Sequence, residues 1–156
     1  MAEHLASPVT DKVTDLNAVR LTDDSDSRKW LLRTDLWSVP IGRSRRVEDT
    51  LVFSISPGEW IVVGGRPSAD AVDLTHVRAL FRISGRGARN LLERVCALDL
   101  SEDMTPDGGA ARTLVAGVAT ELVRKDREGE PTYLLLMSRS FAWHMWNRLV
   151  AVGREE

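Results

Sequence analysis

Few residues of this sequence are placed to do proton chemistry. Glu121 interrupts an apolar run between Thr120 and Leu122. A carboxylate there either faces water from the open side of an antiparallel sheet or is buried and functional. Alternation groups it with Val115, Ala119 and Val123, none of them polar, and the solvent-facing placement is the expectation. The histidines, His4, His76 and His144, stand apart from one another, so no metal site built from neighbouring ligands is expected. Only His76 falls in a strongly patterned stretch, where an imidazole hydrogen-bonded at a strand edge is the default. Cys96, the sole cysteine, rules out an internal disulfide. It lies on the apolar face of an expected helix and reads as a buried core thiol rather than a nucleophile. Gly85 and Gly87 lack the third glycine of a dinucleotide fingerprint, and the sequence holds no phosphate loop, nucleophile elbow or zinc-protease helix.

The scaffold that must position these groups is one domain's worth of chain. Its 156 residues, 43% apolar and 28% charged, suit a soluble globular protein with a real core. A net charge of −2 with both signs interspersed argues against nucleic acid as a partner. The short basic cluster Arg43, Arg45, Arg46 runs into Glu48 and Asp49 and reads as a solvated loop. No basic segment precedes an apolar run at the start and no run reaches membrane-spanning length, so the expectation is a cytoplasmic protein with no membrane contact.

Residues 1–28 are polar and rich in Asp, Ser and Thr, and are expected to be a mobile or partner-docking arm, leaving 29–156 as a single α+β domain. Thr50 to Ser56 and Trp60 to Val63 read as a hairpin joined by Ser56-Pro57-Gly58-Glu59. Val77 to Ile83 alternates as a strand, Ser84-Gly85 turns, and Ala88, Leu91, Leu92, Val95 and Cys96 form a helical stripe. Thr113 to Arg124 reads as one long strand, returned antiparallel by Pro131 to Met137. A last helix carries Phe141, Ala142, Met145, Trp146, Leu149 and Val150 on one face. The order predicts a mainly antiparallel sheet with helices packed on one face. Trp30, Trp37, Trp60, Trp143 and Trp146 are candidate interface anchors, because tryptophan is enriched at binding hot spots.

Five segments, taken in chain order, carry a resemblance. They are Ser56-Pro57-Gly58-Glu59-Trp60-Ile61, then Val72-Asp73-Leu74-Thr75-His76 with Phe81-Arg82-Ile83-Ser84-Gly85, Ala97-Leu98-Asp99-Leu100, Ala111-Arg112-Thr113-Leu114, and Ser138-Arg139-Ser140-Phe141 with Trp143 and Trp146 beyond. Together they resemble the glycine-cleavage T-protein (aminomethyltransferase) superfamily, and within it the gamma subunit of heterotetrameric sarcosine oxidase, over about residues 51–152. The resemblance implies a fold similar to the N-terminal folate-binding-type domain of aminomethyltransferases. Where that family carries Gly-Gly-x-x-Asp-Asp-Leu, this chain has Ala116-Gly117-Val118-Ala119-Thr120-Glu121-Leu122. Thr120 thus stands in place of the catalytic aspartate, and a hydroxyl is no carboxylate base at neutral pH.

Those departures imply an accessory role. The resemblance points to a small gamma-type subunit of a sarcosine-oxidase-like flavoenzyme, one that oxidatively demethylates a secondary or tertiary amine and feeds one-carbon units to tetrahydrofolate. Its partners would be the larger flavin-bearing subunits, with flavin and NAD on those subunits only. Alternatives are a stand-alone folate-dependent enzyme using Glu121, His76 and Arg112 in a cleft, with Thr120 a further catalytic candidate, or a non-catalytic folate-binding module. For either, tetrahydrofolate would be the ligand, with Arg112, Ser138, Arg139 and Ser140 as its candidate contacts.

Overall fold

Short apolar runs bounded by turn residues make this chain mostly strand. The computed structural model describes residues 13–66 and 68–155. Its strands are β1 (Val13–Leu16), β2 (Val19–Asp23), β3 (Lys29–Leu32), β4 (Arg43–Val47), β5 (Thr50–Ser54), β6 (Trp60–Val63), β7 (Val72–Asp73), β8 (Arg78–Ser84), β9 (Ala110–Val115), β10 (Val118–Arg124) and β11 (Thr132–Ser138). Two α-helices, α1 (Ala88–Glu93) and α2 (Ala142–Arg154), complete the described residues, with a short 3-10 turn over Arg139–Phe141.

The strands form two antiparallel sheets, one in the order β1-β2-β8-β11-β10-β9 and the other β4-β5-β6-β3-β7. Both helices lie on one face of the six-stranded sheet, as the pattern predicted. Leu91 and Leu92 of α1 and Met145, Trp146 and Leu149 of α2 bury against Phe81, Ile83, Leu122, Tyr133 and Leu135. Trp146 meets Phe81 edge to face, with centroids 5.1 Å apart. The opposite face of that sheet packs on the second sheet through Leu80, Val123, Leu134 and Leu136 against Leu51 and Phe53. Beyond the second sheet, Val39 and Trp37 fold over Trp30, Val52 and Val62.

Several expectations need correction. The arm does not reach residue 28: Val19 and Leu21 alternate with Arg20 and Thr22, and the two apolar side chains bury in the main core as β2. Residues 1–12 of that arm, His4 included, lie outside the described residues. Arg43, Arg45 and Arg46 sit on edge strand β4, where half the side chains of a strand can stay solvated. The long strand Thr113 to Arg124 is two strands, folded at Ala116-Gly117, both with positive φ. Helix α1 ends at Glu93, so Cys96 lies past it, half-buried, in an isolated bridge to Val115. Phe141 is 50% exposed because it precedes α2 instead of joining its apolar face.

One buried cation fixes the crossing between the two sheets. Lys29 is fully buried, and its Nζ donates to the carbonyls of Ser25 at 2.7 Å, Ser27 at 2.9 Å and Thr75 at 3.1 Å. Burial pushes its pKa down to about 8, with Arg139 adding repulsion and Asp23, Asp26 and Asp73 pulling back.

Candidate functional site

Glu121 faces the second sheet from the middle of β10. Register sets it between Arg112 on β9 and Leu136 on β11, and Leu136 in turn pairs with Leu80 on β8. Side chains directly opposite one another share a sheet face. Arg112 therefore projects beside Glu121, and Arg78 comes to it from the start of β8. Each guanidinium reaches Glu121 Oε1 at 3.5 Å, while Glu121 Oε2 has no hydrogen-bond partner among the described residues. The solvent-facing expectation is overturned, since Glu121 is only 3% exposed. The face without helices, which pattern leaves open to water, is covered here by the second sheet.

The carboxylate borders a recess of about 100 Å³ walled by Leu31, Ile61 and Ile55 and edged by Ser56, Glu59 and Leu74. Burial pushes the Glu121 carboxyl above its ordinary range, Arg78 and Arg112 draw it back, and Glu59 adds to the rise. Held with its proton, Glu121 offers a donor to whatever enters the recess. Ionised, it offers an acceptor. A hydroxyl or an amide, each of which can both donate and accept, fits either state.

The other predicted residues are scattered. Thr120 projects to the opposite face of β10, is 1% exposed and donates from Oγ1 to the Val118 carbonyl at 2.9 Å. It therefore shares no cavity with Glu121, because neighbours on a strand point to opposite faces. His76 borders a separate depression of about 380 Å³ with Arg28, Trp30, Ala71, Asp73 and Thr75. Of the four folate-contact candidates, only Arg112 lines the Glu121 recess. Ser138 ends β11, its Oγ 3.0 Å from that of Ser140, and the Arg139 N–H donates to the Val77 carbonyl. Arg78 and Glu59 escaped the sequence reading. Arg78, Leu80 and Arg82 alternate, which places Arg78 on Leu80's face, but nothing local shows that this face meets Glu121.

The tryptophans divide. Trp30 and Trp146 are buried in the chain's own clusters, which corrects their assignment as interface anchors. Trp30 donates its indole N–H to the Gly64 carbonyl at 3.1 Å, and half-buried Trp60 donates to Val39 at 2.9 Å. Half-buried Trp37 packs on the same outer cluster. Trp143 alone is strongly exposed, at 67%.

No family model matches the chain, and no curated protein matches it. Solved structures do. A chain of the heterotetrameric sarcosine oxidase from Corynebacterium sp. U-96, in complex with pyrrole 2-carboxylate, superposes with a TM-score of 0.76 at 21% identity, covering 92% of this chain and 88% of that one. Glycine cleavage system aminomethyltransferase T from Bartonella henselae superposes with a TM-score of 0.64 at 14% identity, covering 86% of this chain but 46% of the aminomethyltransferase. No helix among the described residues is long and apolar enough to cross a membrane. Two antiparallel sheets with helices on one outer face, in this connectivity, give the chain the T-protein-like fold of those two structures.

Proposed function

We propose that this chain is a small, non-redox subunit of a sarcosine-oxidase-like flavoenzyme that oxidatively demethylates a secondary or tertiary amine. The observation that carries this reading is the mutual coverage of 92% and 88% with a chain of a heterotetrameric oxidase. The flavin chemistry belongs to larger partner subunits, and this chain supports their assembly. Cytoplasmic location and delivery of the one-carbon unit to tetrahydrofolate are part of the same proposal.

The dimensions of the Glu121 recess speak against that residue as the acid of a stand-alone folate enzyme. The recess at Glu121 holds about 100 Å³, against roughly 300–1,000 Å³ for small-molecule sites. Thr120, in the position of the family's aspartate, is turned into the core. Affinity isolation of the tagged full chain from its native cells tests the proposal. The expected result is a stoichiometric complex whose flavin absorbance bleaches anaerobically on adding sarcosine or dimethylglycine. A monomer without flavoprotein, binding tetrahydrofolate at micromolar levels and losing it on Glu121→Gln, refutes it.

A further inference from the structure

The depression beside His76 shares no lining residue with the Glu121 recess. Strand alternation builds it. Trp30 on β3 stands directly opposite Asp73 on β7, so indole and carboxylate share one sheet face. That is the outer face, where Trp30 packs with Val52 and Val62. Arg28, two residues before Trp30, and Ala71, two before Asp73, continue the same alternation. The Arg28 carbonyl accepts the Gly64 N–H at 2.8 Å, which extends the β3–β6 pairing by one residue.

The floor of the depression is buried and its margin is charged. Trp30 and Thr75 are 4% and 9% exposed, whereas Arg28, Asp73 and His76 are open to solvent. Lys29 pins Thr75: its backbone N–H donates to Thr75 Oγ1 and its Nζ to the Thr75 carbonyl, both at 3.1 Å. The Trp30 indole N–H is taken by the Gly64 carbonyl, so the ring offers the depression an apolar wall. Asp73 Oδ1 accepts the Thr75 N–H at 2.9 Å. Hydrogen bonding from Thr75, with His76 and Lys29 adding to it, holds this carboxyl below the usual carboxylate range. The Arg28 guanidinium makes no hydrogen bond or ion pair among the described residues.

Size and charge narrow the ligand. The volume, about 380 Å³, falls within the roughly 300–1,000 Å³ of small-molecule sites and equals roughly a dozen waters at ~30 Å³ each. That is room for one free amino acid and too little to bury a flavin nucleotide. A simple anion drawn to Arg28 and His76 is repelled by Asp73, and a simple cation drawn to Asp73 is repelled by Arg28. A small molecule carrying both charges is attracted by both sides.

We propose that this depression binds a free α-amino acid as its zwitterion, the carboxylate on Arg28 and His76, the ammonium on Asp73, and an apolar side chain along Trp30 and Ala71. The inference goes beyond the proposed function and does not depend on it, since neither a flavoprotein nor folate enters the site.

The purified full-length chain is titrated calorimetrically with glycine, L-proline, L-leucine and L-phenylalanine. The tightest binder is then compared with its analogues lacking the ammonium or the carboxylate. Arg28→Gln and Asp73→Asn are titrated alongside. Both positions are exposed, and asparagine keeps an oxygen to accept the Thr75 N–H, so thermal melts should match the parent. The expected result is a Kd below about 1 mM, raised at least tenfold by loss of either charged group from the ligand and by either substitution. Failure of all four amino acids to bind overturns the proposal. An analogue without the ammonium that binds as tightly as the amino acid also overturns it, because the site is then one for simple anions. Folded variants that bind within threefold of the parent place the amino acid elsewhere and overturn it as well. None of these outcomes bears on whether the chain isolates with a flavoprotein, so the two proposals fail separately.

Discussion

Replacing Lys29 with methionine tests the reading of the buried ammonium most directly. Methionine keeps the length and apolar stem of the side chain and removes the titrating group. In the parent, burial lowers the Lys29 pKa from 10.5 to about 8, a drop worth about 3 kcal/mol at ~1.4 kcal/mol per unit. Between those values the unfolded chain keeps the proton that the folded chain has shed. The unfolded state therefore binds more protons, and the Lys29 contribution to stability rises with pH through this window. Lys29→Met lacks that contribution. Urea unfolding followed by the fluorescence of buried Trp30 and Trp146, at steps from pH 7 to 10.5, reads the stability gap between parent and variant. The parent's stability relative to the variant should increase by about 3 kcal/mol across the series. A gap that stays flat, or that moves the other way as pH rises, would show that the carbonyls of Ser25, Ser27 and Thr75 hold the ammonium more strongly than burial expels it, and the reasoning fails.

Three further outcomes are expected. The Glu121 carboxyl is raised in the folded state, so its contribution is fully present below the unfolded value near 4.5 and is lost as pH rises through the folded one; denaturation from pH 4 upward should show Glu121→Gln gaining on the parent as pH increases. Gly85→Ala should lower the melting temperature sharply, by about 2 kcal/mol or more of stability, because φ is +114° and a Cβ would collide with the Ala18 carbonyl. Ala116→Asn should raise stability by about 0.5–1 kcal/mol in a thermal melt, since Ala116 occupies φ 50° ahead of Gly117 in a two-residue hairpin turn, where Asn-Gly is preferred.

The long β9–β10 run shows which parts of this fold the residues disclose. Its apolar alternation announces strand correctly from Thr113 to Arg124, and within β10 it groups Val118, Thr120 and Leu122 on the helix-covered face. The fold-back at Ala116-Gly117 stays hidden because alanine carries no turn signal, and an uninterrupted pattern crosses it. Reading through that turn exchanges the faces of β9: Leu114 belongs with Ala119 and Arg112 with Glu121, while Val115 belongs with Val118. A solitary acid without polar companions is thus, in the folded chain, an acid with an arginine directly opposite. Val19, Arg20, Leu21 and Thr22 carried a legible alternation that the surrounding aspartates and serines outweighed. Of the second sheet, local pattern disclosed the β5–β6 hairpin but not that it belongs to a separate layer. Val52 and Val62 bury on its outer face while Leu51 and Phe53 bury on its inner face, so its central strands show no polar side.

The sheet order also imposes a sequence of assembly. Strands β3 to β7 are contiguous in the chain and make the five-stranded sheet by themselves, β4–β5 and β5–β6 pairing as neighbours and β3 pairing with β6 and β7. The six-stranded sheet is split around them: β2 must wait for β8, and Ser25 Oγ receives the Leu80 N–H from 55 residues away. The six-stranded sheet then closes around the insertion, with the Asp24 N–H, just past β2, donating to the Leu80 carbonyl of β8 at 2.8 Å. Closing so long a loop costs entropy before any contact returns it, and non-local pairing of this kind slows folding. During synthesis the five-stranded sheet emerges whole while the β1–β2 hairpin still lacks β8 along the open edge of β2, which makes that hairpin the segment most in need of protection before β8 and α2 arrive.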